Sequence, residues 1–303
     1  MKITGLNHPL RFPRPHKEWL GDSAGAKPVA GLSVDVDDVM IAFSHFYGLS
    51  CRNYRTTIAQ EITQVVDLLE RHQAKATFFV PGYILEVSPD LLRPVLEAGH
   101  EIACHGFRHI PIWQMSPEDF EQDLIQAVEL IRARTGRIPV GYRAPGATLL
   151  PAADWAVPIL IRHGFRYSSS CPAVAVRHHR FKVPPRRPFL WPGGLLELPP
   201  STQKMLGLSW PICGSVYARL SPSWPMKLAT RRFLGKAEGP LLYYFHPFEA
   251  FPQSVAQAWP NLNLTAKVYL WGCRGFRAKL EWVLKQCDFQ TYERVAENYL
   301  REN

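Results

Sequence analysis

The chain has six cysteines, Cys51, Cys104, Cys171, Cys213, Cys273 and Cys287, and no two of them form a CxxC pair. Their spacing offers neither a thiolate metal site nor a disulfide framework, so reduced thiols in a cytosolic protein are the expectation. No apolar stretch reaches the roughly 18 residues that a membrane-crossing helix needs. The N-terminal MKITGLNHPLRFPRPHKEWL has no apolar core segment and does not read as a secretory signal. Internal repeats and low-complexity segments are absent as well. No nucleic-acid-binding motif surrounds the densest basic patches, RHHRFKVPPRR and KLATRRFLGK, so no nucleic acid partner is expected. The net charge of +9 leaves two readings, a solvated basic face or an anionic or membrane-surface partner.

What is present describes a folded α/β chain. Hydrophobic residues make up 47% of 303 and charged residues 20%, enough for a sizeable core. Short apolar runs alternate with longer helical patterns. VAGLSVDV, KATFFVP, HEIACH, VGYRAP, FRYSS and PLLYYFH read as strands. Between Thr56 and His72, the apolar positions Ile58, Ile62, Val65, Val66, Leu68 and Leu69 keep helical spacing. A helix is expected from the Ser88 cap and Pro89 to Gly99, and another from the Ser116 cap to the Gly136 stop. PAADWAVPILIRHG reads as a further helix, as do residues 226–234, and a last amphipathic helix is expected over about 266–286. Such alternation argues a parallel sheet or barrel with helices outside. It loosens over about 171–225, where Pro, Gly and Trp dominate. The expected organisation is an extension over 1–28 and one domain over 29–303 that carries this Pro-rich insertion.

SVDVDD, from Ser33 to Asp38, places three carboxylates at the end of a buried strand. One aspartate there serves readily as a cap or a strand-end ion pair. Three repel one another unless a cation lies between them. Other strand ends deliver matching groups: His105 and His109 in HGFRH, Arg143 in YRAPG and His246 in YYFHPFE. In parallel α/β barrels, functional side chains collect at the C-terminal ends of the strands. The i, i+4 spacing of His105 and His109 is expected to place both imidazoles on one side of a helical turn. With a carboxylate they make a His₂-Asp set that leaves coordination positions open. His45 is a further candidate lining residue, whereas His72, His100, His163, His178 and His179 show no partner pattern.

These motifs resemble the polysaccharide deacetylases of carbohydrate esterase family 4, the NodB type. The family's base and metal aspartates, its HxxxH, its RxPxG-like motif and its late-strand histidine have counterparts here in the same order, from Ser33 to Glu249. ATFFVPGYILE and EAGHEIACHGFRH are typical of the family. The spaced DVD resembles the branch with peptidoglycan-deacetylase-like and allantoinase-like members. LLELPPST, GSVYARLSP and YYFHPFE resemble members found with bacterial exopolysaccharide loci. Two departures stand out: Gly146 and Ala147 follow Pro145 where an aromatic residue and glycine are usual, and YSSSCP replaces an acidic fourth motif.

The resemblance implies a distorted (β/α) barrel and a metal-dependent hydrolase of C–N amide bonds. Asp37, His105 and His109 would hold a divalent ion, most simply zinc, with Asp38 as an alternative ligand to Asp37. Asp35 would act as general base, His246 as general acid, and Arg143 would keep Asp35 ionised. The backbone N–H of Gly146 would help to hold the oxyanion. The implied substrate is an N-acetylated amino sugar in a bacterial polysaccharide or its lipid-linked precursor. A cytosolic enzyme would meet it at the inner membrane face, with possible peripheral membrane contact. A sugar deformylase, an allantoinase-like amidohydrolase and an inactive glycan-binding barrel are the alternatives.

Overall fold

A computed structural model describes residues 27–37, 57–171, 185–205, 208–236, 239–253 and 270–302. The extension up to Ala26, Asp38, His45, His178 and His179 lie outside the described residues.

A mostly parallel sheet organises the chain. Its strands are β1 (Val29–Asp35), β2 (Thr77–Val80), β3 (Glu101–Cys104), β4 (Gly141–Tyr142), β5 (Tyr167–Ser168), β6 (Phe189–Leu190), β7 (Leu196–Glu197), β10 (Leu241–Phe245) and β11 (Asp288–Gln290). The order is β10-β1-β2-β3-β4-β5-β7-β6, with only β6 antiparallel to its neighbour, and β11 pairs with the first residues of β1. Every residue of β2 and β3 is buried, and all of β1 after Val29. Such strands need cover on both faces, which explains their continuous apolar runs.

The hairpin of β8 (Thr202–Met205) and β9 (Leu208–Pro211) flanks the free edge of β10. Ser201 bonds Leu242 through backbone and hydroxyl, and Tyr244 N donates to Cys213 O at 2.8 Å. Gly214 bridges Tyr244 there, with φ 96°. A Cβ at this position would sit 2.1 Å from the Tyr244 carbonyl, so only glycine allows the approach. Leu198 N meanwhile donates to Ser168 O. The segment 198–201 therefore reaches from β5 to β10, and the sheet curls into a half-barrel.

The helices are α1 (Ile58–Arg71), α2 (Gly82–Val87), α3 (Arg93–Glu97), α4 (Pro117–Thr135), α5 (Ala156–Arg162), α6 (Ser215–Leu220), α7 (Ser223–Leu234), α8 (Pro247–Ala250), α9 (Cys273–Leu284) and α10 (Tyr292–Glu302). α1 buries the six apolar positions its spacing singles out. At α4, Ser116 Oγ accepts from Asp119 N, and Gly136 closes the helix at φ 69°. The helix expected from Ser88 is different. α2 ends at Ser88, residues 89–92 form turns, and α3 begins only at Arg93. The cap signal of Ser88-Pro89 yields to a chain that makes two short helices over the sheet.

The stretch over 185–225 is not all loop, since β6 and β7 extend the main sheet and α6 packs beside α9. β11 and α10 go beyond the last expected helix; α9 starts at Cys273, and residues 266–269, where that helix is expected to begin, lie outside the described residues. α10 covers the N-terminal end of the sheet: Tyr292 N donates to Thr77 Oγ1 and Glu293 N to Glu101 Oε2. Among the described residues, no helix is long and apolar enough to cross a membrane.

Candidate metal and catalytic centre

Four strand ends converge on one buried cluster. β1 ends at Asp35 and the chain continues to Asp37, two residues on. His105 follows β3, Arg143 follows β4 and His246 follows β10. Asp35, Asp37, His105, His109 and Arg143 are all no more than 5% exposed.

The two histidines of HGFRH do not share a helical turn. Residues 105–109 form a loop in which Gly106 and His109 both have positive φ, 74° and 55°. Asp123 of α4 fixes this loop, accepting from Phe107 N at 2.7 Å and from Arg108 N and Nε. The imidazoles then meet edge to face, 4.9 Å apart.

Asp37 stands at the centre. His109 Nε2 lies 3.1 Å from its Oδ2, His105 Nε2 3.7 Å from its Oδ1, and His246 Nε2 3.6 Å from Oδ2. One ligand atom each from Asp37, His105 and His109 fall within 4.8 Å of one another. His105 Nδ1 meets the Arg143 carbonyl at 2.7 Å. Only an N–H can donate there, so Nε2 carries the lone pair in the neutral ring. Burial lowers the His105 pKa against the pull of Asp37 and keeps that ring neutral. A lone pair thus faces Asp37 Oδ1, an oxygen that accepts no hydrogen bond. Burial also disfavours the Asp37 carboxylate, but His109, His105 and His246 outweigh it and hold its pKa well below the usual range. Two acceptors turned toward each other in a dry site suit a cation between them, so the residues fit a divalent ion. Asp38, the alternative ligand, lies outside the described residues.

Asp35 is paired with Arg143 Nη1. The guanidinium is fixed from every side. Its Nε donates to Ser169 O at 3.1 Å, its Nη2 to Ser169 Oγ at 2.9 Å, and its carbon lies 4.1 Å from the Phe79 ring centroid, with Tyr244 and Tyr292 beyond. Ser169 of YSSSCP thus anchors the guanidinium. Ser170 Oγ accepts from Ala144 N, and Glu197 of β7 accepts from Ser170 N, Cys171 N and Trp191 Nε1. Gly146 lies exposed in the turn after β4, with φ 66°. Among the described contacts, none joins it to the cluster.

His246 is held from behind by groups the sequence does not mark. Its Nδ1 lies 3.1 Å from Glu249 Oε2 and 3.2 Å from Ser215 Oγ, and its backbone N donates to the same Oε2. Arg219 of α6 pairs with Glu249 Oε1 at 2.8 Å. Burial pulls the His246 pKa down, but Glu249, then Asp37 and Asp35, raise it to about 9. The ring is cationic at neutral pH, with Nε2 turned toward Asp37. Outside the cluster, His163 pairs with Glu121 and His100 Nδ1 accepts from Ala76 N, as bland histidines do.

Residues 38–167 match the polysaccharide deacetylase family, and residues 168–297 match a domain of unknown function, DUF3473. A Helicobacter pylori peptidoglycan deacetylase is 32% identical over 109 residues, 36% of this chain and 36% of that protein. The matched stretches thus cover well under two thirds of the curated relatives' lengths. A putative polysaccharide deacetylase from Mycobacterium smegmatis superposes with TM-score 0.64 at 21% identity, over 95% of both chains. An allantoinase superposes with TM-score 0.61 at 14% identity, over 97% of this chain and 98% of its own. Both likenesses concern the fold. Over residues 38–167, which include HGFRH and YRAPG, the chain matches the polysaccharide deacetylase family.

Proposed function

We propose that the chain hydrolyses the N-acetyl group of an amino sugar in a bacterial glycan, using one divalent ion held by Asp37, His105 and His109. The observation that carries this reading is the opposition of an Arg143-paired carboxylate, Asp35, and a cationic imidazole, His246, across a buried His₂-Asp set. The peptidoglycan deacetylase relatives support the substrate class. The donor set favours zinc. When bound, the ion supplies Lewis acidity, which acidifies water and polarises an acyl oxygen.

The chain's own residues do the rest. Asp35 takes the proton of the attacking water, and Arg143 holds that carboxylate in place. Water oxygen bonds to the acyl carbon, and the N–H of Gly146 is the proposed backbone donor to the oxyanion. His246 then gives its Nε2 proton to the amine nitrogen as the C–N bond breaks. Glu249 anchors Nδ1, which fixes the ring's direction and keeps the proton available. Acetate and a free amine leave. The test is acetate release from N-acetylated glycans, peptidoglycan fragments included, by the zinc-loaded chain. Acetate from an amino sugar supports the reading. Turnover of allantoin, formate release from an N-formyl sugar, or binding of glycan without hydrolysis would replace it.

A further inference from the structure

α6 has two faces with different duties. Its buried side supplies Ser215 and Arg219, which hold His246 and Glu249. Its other side exposes Val216 and Leu220, the latter 55% exposed. α7 continues the pattern with Trp224 at 72% and Leu228 at 53%, one turn apart on one face. Trp271, also 72% exposed, lies on the segment next to α6, where its carbonyl accepts from Arg219 Nη1. Lys279 ties the same corner together by donating to Ala218 O and Ser221 O. Single exposed apolar residues are ordinary, but five on adjoining segments, two of them tryptophan, form an interaction surface.

The charge of that surface names its partner. Between Glu197 and Glu238 the sequence contains no Asp or Glu. α7 itself carries Lys227, Arg231 and Arg232; Arg231 and Arg232 are exposed, and Lys227 lies over the Trp282 ring at 5.3 Å. Exposed Trp and Leu beside basic residues, on helices that themselves carry no Asp or Glu, is the composition of helices that lie in the interface of an anionic bilayer. A second copy of this chain would meet the same positive charge and be repelled.

We propose that the face formed by α6, α7 and Trp271 docks on anionic phospholipid. Docking there brings the His246 side of the catalytic cluster to the bilayer, because Ser215, the first residue of α6, touches His246. The corollary that the glycan substrate is presented at the membrane rests on the deacetylase reading; the docking itself does not.

The test is co-sedimentation of the full chain with vesicles of phosphatidylcholine alone or mixed with phosphatidylglycerol. The expected result is binding to the mixed vesicles only, weakened several-fold as salt rises from about 0.05 to about 0.5 M. Two variants, Trp224→Ser with Leu228→Ser, and Arg231→Glu with Arg232→Glu, should each lower the partition about tenfold or more. Both should keep the parent's circular dichroism and its hydrolysis of a soluble substrate. Loss of that hydrolysis in the parent would sink the deacetylase reading and leave docking standing. No binding to the mixed vesicles would overturn docking, as would binding unchanged in both variants. A lipid-free dimer that either variant converts to monomer in light scattering would give the face to a second copy instead.

Discussion

The two regions that build the centre hold their residues in different ways. From β1 to β4, each functional group follows a buried parallel strand, and the backbone sets its position. Asp35 and His105 are brought together by the register of β1, β2 and β3, and the backbone of Arg143 by β4 beside β3. From Ser168 onward, side chains take over. His246 depends on Glu249, Glu249 on Arg219, and Arg143 on Ser169. The first region makes a place for an ion by geometry. The second tunes a proton donor and orients a base through buried charge and hydrogen bonds. The metal-holding and proton-handling duties should therefore separate on mutation.

The largest effect belongs to the first region. His105→Ala removes one of three protein ligands, and the variant should lose most of its metal and essentially all turnover. Elemental analysis and acetate release check this together. Full metal occupancy in that variant would remove His105 from the ligand set.

Next comes the base. Asp35→Asn should lower turnover by roughly 10²–10⁴-fold, because an amide accepts no proton. Arg143, left without its opposing charge, should also reduce stability, which a thermal melt records.

The second region should give a smaller and pH-dependent effect. Glu249 is the main group raising the His246 pKa, and the acid works only while protonated. The parent's rate should fall on the alkaline side as the imidazolium loses its proton. In Glu249→Gln that limb should move to lower pH while bound metal stays constant. An unmoved limb would mean that Glu249 does not set the acid.

How much of this was legible depends on the range of each contact. Asp35, Asp37, His105, His109, Arg143 and His246 stand out because polar residues at the ends of apolar runs are locally odd. Glu249, Arg219, Ser215 and Asp123 are not odd where they occur. The roles of Asp123, Arg219 and Ser215 arise from packing between segments 15 to 34 residues apart, as in Asp123 with Arg108 or Ser215 with Glu249, whereas Glu249 reaches His246 from only three residues on. The Ser88 cap misleads because local chemistry is only a weak prior on where a helix forms. α10 is the opposite case: Tyr292, Val295, Ala296 and Tyr299 carry a helical apolar stripe, all buried, that a reading stopping near residue 286 leaves aside. HxxxH suggests a helical turn by spacing alone, and the left-handed backbone at His109 has no local signature.

The smallest expected effect tests the barrel's far end and leaves chemistry untouched. Glu101, buried beneath α10 among Thr77, Tyr167 and Glu293 N, has its pKa raised to about 7, chiefly by burial. The folded state then keeps a proton that the unfolded chain loses near pH 4.5. Stability should be greatest below that point, fall as pH rises toward about 7 and level off above it, a loss on the order of 3 kcal/mol. Glu101→Gln should flatten this slope in urea unfolding at pH 5 and pH 8 without changing turnover.

The central claim is that Asp37 holds the ion and Asp35 handles the proton. Zinc content per chain in Asp35→Asn and Asp37→Asn, both reloaded and desalted alongside the parent, tests it most directly. The account predicts about one ion in the parent and in Asp35→Asn, and a large loss in Asp37→Asn. Metal retained by Asp37→Asn and lost from Asp35→Asn would contradict it and exchange the two roles.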